Sequence, residues 1–274
     1  MKKYAIIGFP LGHSASPRIH NTAFEYYRLK AHYEKLEIPP ERFDTEIRKI
    51  KGDDWAGFNV TIPHKQRITA FLDKIDPPAQ RIGAVNTIKV DEDGRWLGYN
   101  TDYHGFLKPL GSYRQVIRRA LLIGAGGAAR AVAFALCDLP NMEHLCLLNR
   151  SPQKSRELKD DLQNYKPLDY RTAETDEDLS HKPYDILVNA TPVGMGDLKS
   201  ELPLNPTLLS HEETIVYDLI YNPRETLFLE RAKAAGLTVI NGWPMLLGQA
   251  EAAFSIWTGR SFTQKLVERL EHLL

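Results

Sequence analysis

Net charge is what this sequence lacks most plainly: 35 lysines and arginines stand against 35 aspartates and glutamates over 274 residues. With no basic excess to release counterions from a polyanion, neither nucleic acid nor an anionic membrane is an expected partner. Cysteine is nearly missing as well. Cys137 and Cys146 stand nine apart with no Cys-x-x-Cys pattern, so no disulfide framework and no metal site are expected, and both read as buried thiols in a reducing compartment. No apolar run is long enough to span a bilayer. The short one after Met1-Lys2-Lys3 ends at Gly8-Phe9-Pro10, too soon for a signal peptide. A cytoplasmic protein is expected. Its 43% apolar and 26% charged residues are those of an ordinary globular chain, and its length calls for two domains.

What the sequence does have is centred on Leu121-Leu122-Ile123-Gly124-Ala125-Gly126-Gly127-Ala128-Ala129-Arg130. An apolar run ends in three glycines within four residues, and an alanine-rich segment follows. Strand, Gly-x-Gly-x-x-Ala, then helix is the dinucleotide-binding fingerprint in its proper context. Gly124 permits a tight turn, Gly126 leaves room for a pyrophosphate, and Ala129 allows close helix–strand packing. The free N–H groups at the start of the helix then face the phosphates, so Gly124, Ala125, Gly126, Gly127 and Ala128 are expected to bind cofactor. About 25 residues on, after the strand His144–Leu148, comes Asn149-Arg150-Ser151 with Lys154 one turn later and no carboxylate between. This is where the adenine ribose is read. An arginine suits the 2′-phosphate of NADP where an acid would suit NAD, although a solvated arginine in a capping loop would look the same.

The chain opens as β-α-β-α, the order of a mostly parallel sheet. Residues 3–8 read as a strand, and the turn Leu11–Pro17 leads to a helix over about Arg18–Leu29, with Ser16 as N-cap and Pro17 at the first helical position. Ser14 has only a loop reason to be there. The strand His32–Ile38 and a helix over Glu41–Lys51 follow. In the next strand, Gly57–Ile62, Asn59 and Thr61 lie two apart and share a face. Pro63 ends it and is expected to start a helix at His64, which would put Lys65 in a first turn where a cation opposes the helix dipole. Such a lysine is either an exposed accident or in use. Gly83–Val90 and Arg95–Tyr99 read as a hairpin, and Asp102 as the N-cap of a helix over Tyr103–Leu110.

Past the cofactor turn, a helix over Ser151–Asn164, a weak strand near Tyr170 and a polar stretch, Glu174–Lys182, precede the strand Tyr184–Asn189. Its small-residue loop, Ala190–Gly196, lies at a strand's C-terminal end, where open α/β sheets bind ligands. Strands over Thr214–Asp218 and Leu237–Ile240, an intervening helix after Pro223, and helices over Trp243–Trp257 and Phe262–Leu273 complete the chain.

Ser14-Ala15-Ser16-Pro17, Asn59-Val60-Thr61-Ile62-Pro63-His64-Lys65, Gly83-Ala84-Val85-Asn86-Thr87 and Gly98-Tyr99-Asn100-Thr101-Asp102 belong to one set. So do Gly124–Ala129, Asn149-Arg150, Asn189–Pro192, Asp218–Pro223, Asn241-Gly242 and Gly248-Gln249-Ala250. Jointly and in this order they resemble the shikimate dehydrogenase family, almost end to end. The resemblance implies reversible reduction of 3-dehydroshikimate to shikimate with NADPH, a step of chorismate and aromatic amino-acid biosynthesis. It implies an α/β fold of two domains. A mostly parallel substrate domain (1–104) is completed by C-terminal helices (244–274), and a Rossmann-type NADP domain (105–243) is inserted between them. Carried over residue by residue, Lys65 and Asp102 are the implied catalytic pair. Ser14, Ser16, Asn59, Thr61, Asn86, Tyr221 and Gln249 are the implied substrate ligands, together with that pair. Thr191, Leu219, Gly242 and Met245 would approach the nicotinamide. One departure stands out: where the family commonly has Asp-Glu, this chain has Pro77-Pro78 after Asp76. The alternatives are a quinate/shikimate dehydrogenase using NAD or both cofactors, and a non-catalytic NADPH-responsive regulator. Sequence leaves the choice of monomer or homodimer open.

Overall fold

The computed structural model describes residues 1–12, 14–179 and 183–272. His13 of the first turn, the Ser180–Lys182 end of the polar stretch and Leu273 of the last expected helix lie outside the described residues. The chain divides into two compact units, Met1–Asp102 with Leu247–Leu274, and Tyr103–Leu246.

The first unit carries strands β1 (Lys2–Gly8), β2 (Ala31–Glu37), β3 (Gly57–Val60), β4 (Lys74–Ile75), β5 (Thr87–Val90) and β6 (Trp96–Tyr99) in the order β2-β1-β3-β5-β6-β4. β1 pairs parallel with β2 and β3 and β4 with β6, whereas β5 runs antiparallel to β3 and β6. Helix α1 (Ser16–Tyr26) buries Ser16, Ile19, His20, Ala23 and Phe24, one stripe at helical spacing. The other face of the sheet presents Ala5, Ile7, Phe58, Val60 and Ile88 to Phe43 and Ile47 of α2 (Phe43–Ile50).

Several expected boundaries move. α1 begins at Ser16 itself, with Ala15 in the capping position and no side-chain cap, so Ser16 is not the N-cap. The helix expected over Glu41–Lys51 opens as a 3₁₀ turn at Pro40–Arg42 before α2. No α-helix starts at His64: Thr61–Gln66 is a run of turns and a 3₁₀ helix follows at Arg67–Phe71. Lys65 is therefore in a turn, and the helix-dipole argument does not apply to it. Pro77 and Pro78 open the short helix α3 (Pro77–Ile82), which Gly83 ends in the left-handed conformation, so the strand expected from Gly83 begins only at Thr87. Helix α4 (Asp102–Leu107) starts at Asp102, which is its first residue rather than its cap, and a 3₁₀ stretch succeeds it at Lys108–Gln115.

The second unit is an all-parallel sheet of β7 (Arg119–Ile123), β8 (His144–Leu148), β9 (Asp169–Ala173), β10 (Ile186–Asn189), β11 (Ile215–Asp218) and β12 (Thr238–Ile240). Its order is β12-β11-β10-β7-β8-β9. Read from the other edge, that is 3-2-1-4-5-6 within the unit, the doubly wound Rossmann order. Its central strands are continuous apolar runs, as parallel strands covered on both faces must be. Helices α5 (Gly127–Cys137), α6 (Pro152–Tyr165) and α7 (Leu227–Ala234) supply the cover, and every residue of α5 from Ala129 onward is buried. The chain closes with α8 (Trp243–Thr258) and α9 (Gln264–Glu271). Among the described residues no helix is long and apolar enough to cross a membrane, and no group of three or more His, Cys, Asp or Glu is placed to hold a metal ion.

Candidate active site

In the first unit the polar motif residues meet where β3, β5 and β6 end. The ammonium of Lys65 donates to Asp102 Oδ2 at 2.5 Å, and both residues are buried, 8% and 5% exposed. The turn holding Lys65 is pinned by its own carbonyl, which accepts from the Val85 N–H. Asp102 Oδ1 accepts from Asn86 Nδ2 at 2.8 Å, so both carboxylate oxygens receive N–H donors. The remaining Asn86 amide hydrogen goes to Thr101 Oγ1, and its oxygen accepts from the Thr101 N–H at 2.7 Å. Asn59 is committed inward too. Its Nδ2 donates to the Asn86 carbonyl and Thr87 Oγ1, and its Oδ1 accepts from the Tyr33 hydroxyl at 2.7 Å. Both Asn59 and Asn86 have spent their donors on the protein. Lys65, with three ammonium hydrogens and one bond of its own among the described residues, keeps capacity for a ligand oxygen.

The half-buried residues suit direct contact better. Among the described residues Ser14 Oγ accepts one long bond, from the Ser16 N–H at 3.4 Å, and Thr61 is held by its backbone N–H on the Ile7 carbonyl. Ser16 is buried. Tyr221 is half-buried in the second unit, whereas Gln249 is buried on α8 in the first. Buried Met245 is also on α8, within the second unit.

In the second unit, Gly124 has φ +111°, and a Cβ there would press on the Ala190 carbonyl and Thr191 at 3.2 Å, so the turn requires glycine. A Cβ on Gly126 would meet nothing within 4 Å, and its φ is an ordinary −83°. The protein's own packing gives Gly126 no reason to be glycine; an approaching ligand would. The first backbone bond of α5 runs from the Arg130 N–H to the Gly126 carbonyl, leaving the N–H groups of Gly127, Ala128 and Ala129 without intrahelical partners. Asn149 Nδ2 donates to the Ser151 carbonyl and shapes the next loop, with Ser151 in the capping position of α6. Arg150 and Lys154 are exposed there with no ion pair among the described residues. Unpaired helix N–H groups and two exposed cations are donors of the kind that a dinucleotide with an extra phosphate requires, and the residues present fit NADP.

The loops bearing Thr191, Leu219 and Gly242 are tied to one another by groups the sequence analysis gave no role. Asp218 accepts from Asn189 Nδ2, the Ile220 N–H and the Thr226 hydroxyl. Asn189 Oδ1 accepts from both the N–H and the hydroxyl of Thr191. The Gly242 N–H donates to the Ile220 carbonyl, and a Cβ on Gly242 would lie 2.0 Å from the Leu219 carbonyl oxygen. Burial raises the Asp218 carboxyl to about 6 against the pull of Thr226, Ile220 and Asn189. A buried acid at a strand's end, three residues before motif Tyr221, was the signal available in sequence for this hub. Thr87 and Thr101 were quoted only as motif neighbours, and Tyr33 carried no signal.

Residues 6–88 match the family described as the shikimate dehydrogenase substrate binding domain. A shikimate dehydrogenase (NADP(+)) of Carboxydothermus hydrogenoformans is 41% identical over 98% of this chain and 95% of its own. The crystal structure of shikimate 5-dehydrogenase from Thermus thermophilus in complex with NADP(H) and shikimate superposes with a TM-score of 0.86 at 37% identity, covering all of both chains. The ligand-free 5-ketofructose reductase of Gluconobacter sp. strain CHM43 also superposes, with a TM-score of 0.83 at 30% identity, over 100% of this chain and 99% of its own. With relatives this similar over nearly its whole length, the chain belongs to the shikimate dehydrogenase family.

Proposed function

We propose that this chain catalyses the NADP-dependent, reversible reduction of 3-dehydroshikimate to shikimate. The buried Lys65–Asp102 pair carries that reading, because it places a cation with unspent hydrogen-bond donors in the substrate-binding domain of the matched family. Residues 1–104 with 244–274 form the substrate-binding catalytic domain, and 105–243 the NADP-binding domain. Bound NADPH supplies a hydride from C4 of its nicotinamide to the C3 carbonyl carbon. Lys65 then donates a proton to the C3 oxygen and stabilises the alkoxide charge while it develops. Asp102 holds the ammonium in place, and Asn86, itself fixed by Thr101, holds Asp102. Ser14, Ser16, Thr61, Tyr221 and Gln249 bind the carboxylate and hydroxyls of the substrate. Asn59 and Asn86 belong to the same ligand set, and their bonds within the protein hold them in place. Gly124–Ala128 hold the pyrophosphate, Asn149, Arg150, Ser151 and Lys154 the 2′-phosphate end, and Thr191, Leu219, Gly242 and Met245 the nicotinamide. The enzyme acts in the cytoplasm, as a monomer or homodimer.

Changing Lys65→Ala is expected to lower kcat by orders of magnitude while the KM for shikimate changes little, since the interaction is made chiefly in the transition state. The variant is first checked by circular dichroism, because removing one member of a buried ion pair costs about 3–5 kcal/mol. A folded variant with near-wild-type kcat would remove Lys65 from the chemistry.

A further inference from the structure

Tyr33 does not touch the Lys65–Asp102 pair, yet its hydroxyl, bonded to Asn59 and interacting also with Ser16, stands at the head of a chain of hydrogen bonds that ends there. Its place follows from the sheet order. Tyr33 on β2 lies beside Tyr4 on β1, which lies beside Gly57 on β3. Asn59 is two residues along β3, on the same face, and the phenol reaches it across β1.

The direction of most links is set by groups that have no choice. The Asn86 carbonyl can only accept, so Asn59 Nδ2 faces it and Asn59 Oδ1 must face Tyr33, whose hydroxyl therefore donates. Asn59 Nδ2 also donates to Thr87 Oγ1, whose own hydroxyl lies 3.1 Å from both Asn86 Oδ1 and Thr101 Oγ1. The Thr101 N–H can only donate, which fixes Asn86 with its oxygen inward and its Nδ2 on Asp102 Oδ1. Asp102 then presents Oδ2 to Lys65. Each group from Tyr33 to Asp102 is buried.

The ring of Tyr33 is clamped as tightly as its hydroxyl. His20 of α1 stacks on it with centroids 4.6 Å apart and planes 18° apart, and Trp257 of α8 lies 6.1 Å away. His20 is fully buried and neither ring nitrogen meets a partner at bonding geometry, so it serves as an aromatic plate. Burial also keeps the Tyr33 phenol protonated by raising it well above the ordinary tyrosine value, against a smaller pull from Ser16.

We propose that Tyr33 is a positioning residue for the proposed dehydrogenase reaction, acting through Asn59, Thr87 and Asn86 to set Asp102 against Lys65. The proposal rests on the function given above. Without the hydroxyl, Asn59 Oδ1 loses the donor that it meets at 2.7 Å, and the amide is free to turn and release the Asn86 carbonyl and Thr87.

Tyr33→Phe removes that hydroxyl and little else. Its kcat for shikimate oxidation is expected to fall about tenfold, the scale of one buried hydrogen bond, with the KM for NADP⁺ within about twofold of wild type. A purely structural role would lower the melting temperature and leave the kcat of folded protein unchanged, which would overturn the proposal. Thr87→Val interrupts the same chain further along. The double variant Tyr33→Phe/Thr87→Val is therefore expected to be no slower than Thr87→Val alone; losses that multiply would mean independent roles and contradict the proposal. The side-chain amide resonances of Asn86 give a readout that needs no turnover. They should shift in Tyr33→Phe, and unchanged resonances would overturn the proposal. A wild type that fails to oxidise shikimate would sink the functional reading, while the resonances would still decide the role of Tyr33.

Discussion

Histidine 20 is neutral because of where it sits. Its burial lowers its pKa to about 3, opposed in part by the Asn59 side chain, whereas an unfolded histidine titrates near 6.5. Between these values the unfolded chain binds a proton that the folded chain refuses, so the His20 contribution to stability rises with pH and is lost as pH falls below 6.5. The limiting slope is about 1.4 kcal/mol per pH unit. Asp218 acts with the opposite sign: its folded value of about 6 exceeds the unfolded value near 3.8, so it favours the folded state most at low pH and loses that as pH rises toward 6. The two offset each other in the wild type, and a difference experiment separates them. Urea midpoints of wild type and His20→Phe, taken at about pH 7 and pH 5, should show the wild type losing more stability on acidification; parallel losses would place the histidine in a wetter site. The burial of His20 is not legible in sequence. His20 reads as one polar position on an amphipathic helix, and only the packing of Tyr33 and Trp257 around it makes it buried. Lys65 stands out in sequence for a dipole conflict that does not exist, since it lies in a turn; its role rests on Asp102, 37 positions away.

At the scale of elements, the central parallel strands of the second unit are the easiest to read, because burial on both faces writes them as unbroken apolar runs. The two-residue strand β4 is too short to show any period, and Pro63 points to a helix where the chain makes turns and a 3₁₀ segment. The glycine turn is legible from its residue types. The loops opposite it are not, because what ties them is a Cβ-sized gap and an acid shared among three donors. Gly242→Ala would bring a methyl group against the Leu219 carbonyl, and such overpacking costs about 1–3 kcal/mol. Its urea midpoint should drop while that of Gly52→Ala, where the nearest atom is at 3.7 Å, stays put. Arg150 belongs to the loop after β8, and its loss should be felt only by a phosphorylated ribose. Arg150→Ala is expected to raise the KM for NADP⁺ roughly ten- to hundredfold, the range of a charge-assisted contact of about 1.5–3 kcal/mol, and to leave the KM for NAD⁺ nearly unchanged. An equal rise for both cofactors would assign Arg150 to the shape of the loop instead.

On the scale of the whole molecule, two compact units divide the chain, and the first is made from both of its ends. Sequence order hides that arrangement, and only the resemblance brings residues 244–274 back to the N-terminal part. The division of labour proposed for the units puts the proton with Lys65 and Asp102 and the phosphates with Gly124–Ala128 and Arg150. A similar backbone also serves a 5-ketofructose reductase, so the architecture does not choose the substrate; the side chains must. Initial rates of NADP⁺ reduction with shikimate, beside quinate and with NAD⁺ in place of NADP⁺, test this account most directly. It predicts turnover confined to shikimate with NADP⁺. Comparable rates with quinate and NAD⁺ would contradict it and move the protein to the broader quinate/shikimate class, and cofactor binding without any turnover would leave a regulator in which Lys65 and Asp102 do no chemistry.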